Sequence, residues 1–473
     1  MLKTFLTIFL SPSPKNLHQC RGFSGSVFLV VLTLLFVQLS AKDNRLRLKQ
    51  ADLLENKTIN GQSVQILTGN VVFLKGDMTI TCDTARYHEK TGQGLLTGNV
   101  TMKENDQNLT ADSVHFDSPN DIFTSYNNVH IWDNDYDLTA DTVIYYSKLD
   151  SGIANGRARM DQQGQLITAQ LLRYIKYEND DAVSYTAENN VRIEEGDRVA
   201  TCGLAIYDVR NDRTLLRVNP KLMEKNRILE GSEIQLFYKD DVLDYVFIPA
   251  KAHVVNTSGG FREIEVINQD STVVQKKSIS FKDDMTGSIL KGFFKDGSLD
   301  SVRLEGMATT LYHIFEDSVY QGNNLASGDT IIMSFDNVDS VEVELGNIYV
   351  SGGSRGVFTP DSSNKDMDAP IIYTSDEIVY DIGSEKTDLT GEANIKYNDV
   401  NLSTGFINVD WSNNLLRAFP SAPAADSTAK TQKPTIVEGG KDPMVGDTLV
   451  YNLKSGKGRI KQGRSKADDG YYA

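Results

Sequence analysis

The sequence predicts an all-β protein in which bent strands stack into a trough or a jelly roll. Three observations support this prediction. A phrase recurs five times, the apolar residues inside each copy alternate with a period of two, and this alternation slips by one residue near the middle of a copy. Together they indicate short strands that all bend at an equivalent point.

The repeat is defined by eight-residue segments that end in Tyr or Phe and start at residues 80, 109, 138, 167 and 200. The segments read ITCDTARY, LTADSVHF, LTADTVIY, ITAQLLRY and ATCGLAIY. A second phrase precedes each of them, as in TGNVVF from Thr68 and TGNVTM from Thr97. Its Gly-Asn pair suits a turn because Gly and Asn accept a positive φ most easily. Each copy therefore predicts strands separated by a sharp change of direction.

The slip in the alternation locates this change of direction. Leu109 and Ala111 are in phase with each other, and so are Val114 and Phe116, but the two pairs are one residue out of phase at Asp112-Ser113. The copies that start at 80 and 138 show the same slip. A one-residue slip would turn the apolar side chains outward unless a bulge or corner absorbs it. We therefore expect a corner there, with both halves of the strand facing one interior.

The aspartates at these corners, Asp83, Asp112 and Asp141, have two interpretations. They could be catalytic carboxylates or calcium ligands, or they could brace the bend through hydrogen bonds to the backbone. Gln170 and Gly203 fill the same slot in later copies, and neither residue could replace a required carboxylate. We therefore expect a structural brace.

Cys82 and Cys202 occupy the small-residue slot of their copies and lie four copies apart. If each copy adds at least one strand of about 4.8 Å, they are separated by at least ~19 Å. A disulfide requires Cα atoms within about 7 Å. The two cysteines are therefore predicted to be free, small and buried.

The composition excludes several functions. The net charge of −16 would repel phosphate backbones, so nucleic acid is not an expected partner. The sequence contains no GxSxG, P-loop, HExxH or nucleotide-binding fingerprint, and its six histidines show no metal-ligand spacing. We predict no enzymatic activity, no catalytic residues, no cofactor and no metal.

The chain divides into an export segment and a series of β modules. Residues 1–41 read as a signal peptide, because basic residues precede the short apolar run VFLVVLTLLFV and small residues follow it; an N-terminal anchor is the alternative. The predicted modules are 42–215 with regular repeats, 216–358 with degenerate repeats, and 371–473 with a flexible insert at 419–434. Residues 359–370 read as a polar linker.

The repeat resembles the OstA/LptA family of lipopolysaccharide-transport proteins. The matching phrases are LTGNV (67–71 and 96–100) and LTAD (109–112 and 138–141), each followed by strand-like alternation and an aromatic residue. The resemblance covers roughly 43–215. The segment GDTLVYNLKSGKGRIKQG (446–463) is similar to the periplasmic N-terminal part of the outer-membrane assembly protein LptD.

The resemblance implies a repetitive antiparallel β-jellyroll, an open, twisted trough, with modules in tandem. It also implies a periplasmic protein, associated with the outer membrane, that shields the acyl chains of lipid A and bridges toward that membrane. The implied partners are lipopolysaccharide, other Lpt-type modules joined by edge-to-edge strand pairing, and an LptD-type assembly protein. The residues expected to line the groove are Ile80, Tyr87, Leu109, Val114, Phe116, Leu138, Val143, Tyr145, Ile167, Tyr174 and Tyr207.

Two questions stay open from the sequence. The aromatic column could be a ligand platform or simply strand-favouring core. A secreted β-solenoid, either an adhesin or a polysaccharide-lyase-like protein, would also repeat every 20–30 residues, but its coils would stack in parallel. The chain is longer than the small periplasmic family member and lacks the barrel of the assembly protein. It could therefore be a soluble bridge or the front part of an assembly factor.

Overall fold

The computed structural model describes residues 46–134, 136–146, 149, 151–162, 164–176, 183–239, 242–268, 271–295, 298–337, 343–364, 367, 369–421, 432–467 and 470–472. Within these ranges the regular structure consists of β-strands and one 3₁₀ turn, Val209–Asn211. In the same ranges, no helix is both long enough and apolar enough to cross a bilayer. The predicted signal peptide lies outside the described residues, as does most of the predicted flexible insert.

The chain forms two compact units. The first unit comprises the described residues up to Lys225 together with Glu233–Val242, and the second comprises Asn226–Ser232 and the described residues from Leu243 onward. The strands of the first unit are β1 (Arg47–Gln50), β2 (Leu53–Ile59), β3 (Gln62–Lys75), β4 (Met78–His88), β5 (Gln93–Glu104), β6 (Gln107–Asp117), β7 (Ile122–Trp132), β8 (Tyr136–Tyr146), β9 (Ser151–Gln162), β10 (Gln165–Lys176), β11 (Val183–Glu195), β12 (Arg198–Asp208), β13 (Arg213–Arg217), β14 (Lys221–Glu224) and β16 (Glu233–Lys239).

The second unit continues the all-β pattern with longer strands. Its strands are β15 (Arg227–Glu230), β17 (Val242–Ile248), β18 (Ala252–Asn268), β19 (Ser271–Gly287), β20 (Ile289–Lys295), β21 (Ser298–Glu316), β22 (Val319–Asn337), β23 (Val343–Pro360), β24 (Ile371–Asp381), β25 (Lys386–Tyr397), β26 (Val400–Asp410), β27 (Leu415–Phe419), β28 (Thr435–Glu438), β29 (Met444–Val445), β30 (Thr448–Asn452), β31 (Lys457–Lys461), β32 (Arg464–Ala467) and β33 (Gly470–Tyr472). β17 starts at the boundary between the units. The predicted module boundaries at 215, 358 and 370 remain predictions, although β23 extends into the predicted linker.

Strands that follow one another in sequence pair antiparallel throughout β3–β12. Short turns make this pairing possible, because antiparallel neighbours need only a few connecting residues. The all-β, antiparallel prediction is confirmed. A solenoid would stack its coils in parallel, so the observed pairing disagrees with that alternative.

The predicted corners are present. Thr97 pairs with Ser113 and Val100 with Ala111, so that Gly98 and Asn99 together face the single residue Asp112. Gly98 and Asn99 have φ values of +77° and +45°, two consecutive left-handed residues that redirect the strand. The Gly-Asn pair of the repeat therefore forms the bend, as its composition predicted.

Corners of this kind recur in both units. The consecutive left-handed pairs at such corners, apart from those in the turns between strands, are Gly69-Asn70, Gly98-Asn99, Asn127-Asn128, Gly156-Arg157, Asn189-Asn190, Val218-Asn219, Gly306-Met307, Gly352-Gly353 and Gly391-Glu392. The last three lie in the second unit, where Gly306-Met307 and Gly352-Gly353 fall in the region of degenerate repeats. The corner is therefore retained even where the surrounding phrase has diverged.

The corner aspartates brace these bends. The side-chain amide of Asn99 donates to Asp83 Oδ2 at 2.9 Å, and Asn70 donates to Asp52 in the same way, also at 2.9 Å. The carboxylate of Asp83 lies directly over Gly98, where an added Cβ would be 2.3 Å from Oδ2. These contacts support the structural interpretation of the aspartates, with side-chain amides among their partners.

Candidate functional site: the interior of the first unit

The corners give the first unit an interior with two walls. The strand halves that carry Ile80, Leu109 and Leu138 form one wall, which we call the aliphatic wall. The halves that end in the aromatic column form the other, the aromatic wall. In β8 the buried positions are Tyr136, Leu138 and Ala140 before the corner and Val143 and Tyr145 after it, so the buried face changes phase at Asp141-Thr142. The slip in the sequence pattern therefore keeps both halves facing inward.

The predicted groove residues all lie on these walls. Nine of them are buried, with exposures of 1–7%: Ile80, Leu109, Val114, Leu138, Val143, Tyr145, Ile167, Tyr174 and Tyr207. Tyr87 and Phe116 are half-buried. The structure thus brings the eleven residues to one interior, while their role in lipid binding remains a prediction.

The rings of the aromatic wall pack against one another. Tyr87 and Phe116 stack with their centroids 6.2 Å apart, and Tyr185 contacts Tyr174 at 5.6 Å and Tyr207 at 6.2 Å. Such offset ring pairs contribute about 0.5–1.5 kcal/mol beyond their area burial. The column is therefore part of the packed core of the unit, and a ligand would meet rings that already contact each other.

Sequence reasoning missed a set of interior residues on the preceding strands. Val71, Val100, Val129 and Val191 are among the most buried side chains of the unit, with exposures of 0–2%. Each follows directly after the left-handed pair of its corner. A valine directly after Gly-Asn or Asn-Asn is therefore the sequence signal that identifies these four residues. All four belong to the aliphatic wall.

Where the two walls meet around Leu138, their own side chains fill most of the space between them. A cavity of about 10 Å³ remains between Leu138 on the aliphatic wall and Val143, Ala154, Leu172 and Tyr174 on the aromatic wall. A space of this size holds about one water molecule. At this place, hydrocarbon can enter only if the walls separate or their side chains rearrange.

The outward faces of the same strands are polar. Thr110 pairs in register with His130, whose imidazole lies 3.0 Å from the carboxylate of Asp137 and stacks on Trp132 with centroids 4.2 Å apart. Partly exposed polar pairs of this kind contribute little to stability but remain well hydrated. The strands are therefore apolar on one face and polar on the other, as a trough in water requires.

The two cysteines of the interior are unreactive in character. Cys82 and Cys202 are free and buried, as predicted, and burial raises the pKa of both thiols to about 11. Thiols with a raised pKa are poor nucleophiles at neutral pH. Across the described ranges, no group of three or more His, Cys, Asp or Glu residues could hold a metal ion.

Comparisons with known proteins give a family match for part of the chain. The family model described as LptA/(LptD N-terminal domain) LPS transport protein matches residues 50–148 and 79–242. No curated protein sequence matches the chain. One matching solved structure is LptH, the LptA homologous periplasmic component of the conserved lipopolysaccharide transport device from Pseudomonas aeruginosa. It is 16% identical, the match covers 29% of this chain and 80% of that chain, and the TM-score is 0.15.

Because this TM-score is low, the likeness to LptH adds nothing to the fold established by the strand pairing. The family match ends at residue 242, so the resemblance of 446–463 to LptD stays a prediction. The matched range contains the repeats, the corners and the two-walled interior of the first unit. The family match therefore covers residues 50–242, less than half of the 473-residue chain, and over this range the chain is similar to the LptA/LptD N-terminal family of LPS transport proteins.

Proposed function

We propose that the first unit carries lipopolysaccharide by shielding the acyl chains of lipid A between its aliphatic and aromatic walls. The observation that supports this most directly is the corner, which turns the apolar residues of both strand halves into one interior. Binding is then the whole function, and no bond in the lipid changes. The sugars and phosphates would stay in water outside the trough.

The energetics favour such a role despite the filled interior. Each methylene removed from water contributes about 0.8 kcal/mol, so ten methylenes of one acyl chain contribute about 8 kcal/mol. Opening the first unit exchanges contacts between apolar side chains for contacts with an apolar chain, which leaves few polar groups without partners. An acyl chain can therefore offset the cost of separating the walls.

We further propose that the protein acts in the periplasm and passes lipid toward the outer membrane by pairing with other modules. The N-terminal edge of the first unit supports such pairing. Leu48 on β1 and Leu53, Leu54 and Ile59 on β2 are all more than 40% exposed. An edge strand with exposed apolar side chains can accept a strand from another β module.

Site-specific crosslinking tests the lipid proposal. A photoreactive phenylalanine analogue placed at Tyr145 faces the interior and replaces one aromatic ring by another, while the same analogue at Thr110 faces outward. With purified lipopolysaccharide and the full chain, we expect capture at Tyr145 and little at Thr110. Equal capture at both positions, or capture at Thr110 alone, would show that the lipid does not occupy the interior.

A further inference from the structure

The interior of the second unit contains a chain of hydrogen bonds that we call the polar crossbar, formed by Tyr312, Asn324, Tyr373 and Tyr380. The Tyr373 hydroxyl donates to Asn324 Oδ1 at 2.6 Å, and the Asn324 amide donates to the Tyr312 hydroxyl at 3.0 Å. The hydroxyls of Tyr373 and Tyr380 are 2.8 Å apart. Because Tyr373 has given its only proton to Asn324, Tyr380 is the donor in this last bond.

All four crossbar residues are buried, with exposures of 2–6%. Burial raises the pKa of Tyr380 to about 12, and burial also raises the pKa values of Tyr312 and Tyr373. The hydroxyls are therefore neutral donors over the physiological range. A fully satisfied, buried network of this kind fixes the groups that it joins.

The polar crossbar joins the two halves of a bent strand. Tyr373 precedes the corner of β24 and Tyr380 follows it, since the register of β24 against β25 skips between Thr374 and Glu377. Their hydroxyls meet although seven positions and a corner separate them. The bond between them therefore ties the two walls of this interior together.

Alignment with the first unit shows which residue makes the difference. The segment YTSDEIVY (373–380) aligns with LTADTVIY (138–145) at the corner aspartate and at the final tyrosine. Tyr373 then occupies the slot of Leu138 on the aliphatic wall, and Ile378 occupies that of Val143. A leucine slot of the groove has thus become a tyrosine whose hydroxyl reaches the opposite wall.

More buried polar groups lie in the same unit. Asp283, which is 1% exposed, accepts hydrogen bonds from the backbone N–H of His313 at 2.8 Å and from Asn256 at 3.3 Å, and it lies 2.8 Å from Nδ1 of the His313 ring. Phe281 stacks on His313 with ring centroids 4.3 Å apart. These contacts extend the hydrogen-bonded character of the interior beyond the crossbar.

From these observations we propose that the polar crossbar excludes hydrocarbon from the interior of the second unit, so that acyl-chain binding is confined to the first unit. This inference rests on the proposed function. At the aligned position of the first unit, Leu138 carries no polar group, so moving it away from Val143 and Leu172 exchanges one apolar contact for another. Separating the walls of the second unit would break the hydrogen bond between Tyr373 and Tyr380, the one of the three that crosses between the walls, and would leave the Tyr380 hydroxyl facing hydrocarbon without that partner.

The test compares two aligned positions in the full-length chain. The photoreactive analogue is placed at Val143 in one protein and at Ile378 in another, and each is irradiated with purified lipopolysaccharide. We expect capture at Ile378 to be at least about tenfold weaker than capture at Val143. A second pair of proteins carries Tyr373→Phe, which removes the central hydroxyl and keeps the ring, and there we expect capture at Ile378 to rise relative to Val143.

The outcomes separate the two proposals. Comparable capture at Val143 and Ile378 in the otherwise native chain would overturn the exclusion and leave the proposed function intact. An absence of capture at both positions would overturn the proposed function and, with it, this inference. Intact folding of the second unit in the Tyr373→Phe protein is checked by the fluorescence of Trp411 in a Trp132→Phe background. An unchanged capture ratio in a folded Tyr373→Phe protein would show that the hydroxyl is not the barrier.

Discussion

The corner at Gly98 allows a direct test of what fixes the bend. Gly98 has a φ of +77°, and Gly61, in the turn between β2 and β3, has a nearly identical φ of +76°. An added Cβ would meet nothing within 4 Å at Gly61, but at Gly98 it would lie 2.3 Å from Oδ2 of Asp83. The two alanine substitutions therefore carry the same backbone cost, and only Gly98→Ala adds a collision.

The expected magnitudes follow from this difference. A non-glycine residue in the left-handed region costs roughly 1–2 kcal/mol, so Gly61→Ala is expected to cost about 1 kcal/mol. Gly98→Ala adds the displacement of the Asp83 carboxylate and the strain of overpacking, another 1–3 kcal/mol or so. For a unit of this size, each kcal/mol lowers the melting temperature by roughly 2–4 °C.

The assay uses the two tryptophans of the chain, Trp132 in the first unit and Trp411 in the second. In a Trp411→Phe background, the fluorescence of Trp132 reports thermal unfolding of the first unit alone. The double substitution Gly98→Ala with Asp83→Ala removes the collision and should bring the loss back toward that of Gly61→Ala. Equal losses for the two single substitutions would refute the proposal that the carboxylate over the glycine shapes the corner.

Three other predictions follow from burial. With the third cysteine replaced by serine, Cys82 and Cys202 should react with a thiol reagent at pH 8 at least about 100-fold more slowly than a free thiol, because their pKa values are raised to about 11; fast labelling of the native protein would contradict this. Leu138→Ala should cost about 3 kcal/mol in urea unfolding, whereas Leu149→Ala, at 55% exposure, should cost less than about 0.5 kcal/mol. Because the folded pKa of Tyr380 is raised to about 12, its stabilising contribution is present below pH 10 and lost as the pH rises toward 12, and Tyr380→Phe should weaken this alkaline loss in circular dichroism; an unchanged alkaline transition would speak against it.

The sequence allowed the corners and the inward face of the first unit to be predicted because both follow from local pattern. The one-residue slip at Asp112-Ser113 indicated a bulge, and the register shift between Thr110 and Ser113 confirms it. The positions of the apolar residues in the alternating pattern determine which side chains share a face of the sheet. No long-range information was needed.

The filled interior could not be predicted in this way. How closely two walls approach depends on side-chain volumes summed over facing strands, and an alternating pattern does not contain that distance. The polar crossbar was also missed, because Asn324 and Tyr373 are 49 residues apart and Tyr373 reads as one more strand-favouring aromatic. Aligning Tyr373 with Leu138 would have shown a polar group at an apolar position of the repeat. The hydrogen-bond partner of that hydroxyl, however, is visible only in the structure.

The hairpin-by-hairpin pairing of β3–β12 has a consequence for how the protein acquires its structure. Each of these strands forms its backbone hydrogen bonds with the strands directly before and after it in sequence. The next strand can therefore pair before any distant segment of the chain has folded. Loop-closure entropy is therefore small at every step, and assembly can proceed as a zipper along the growing chain. In evolution, whole copies of the repeat could be added or lost without any change in the sequence of the remaining copies.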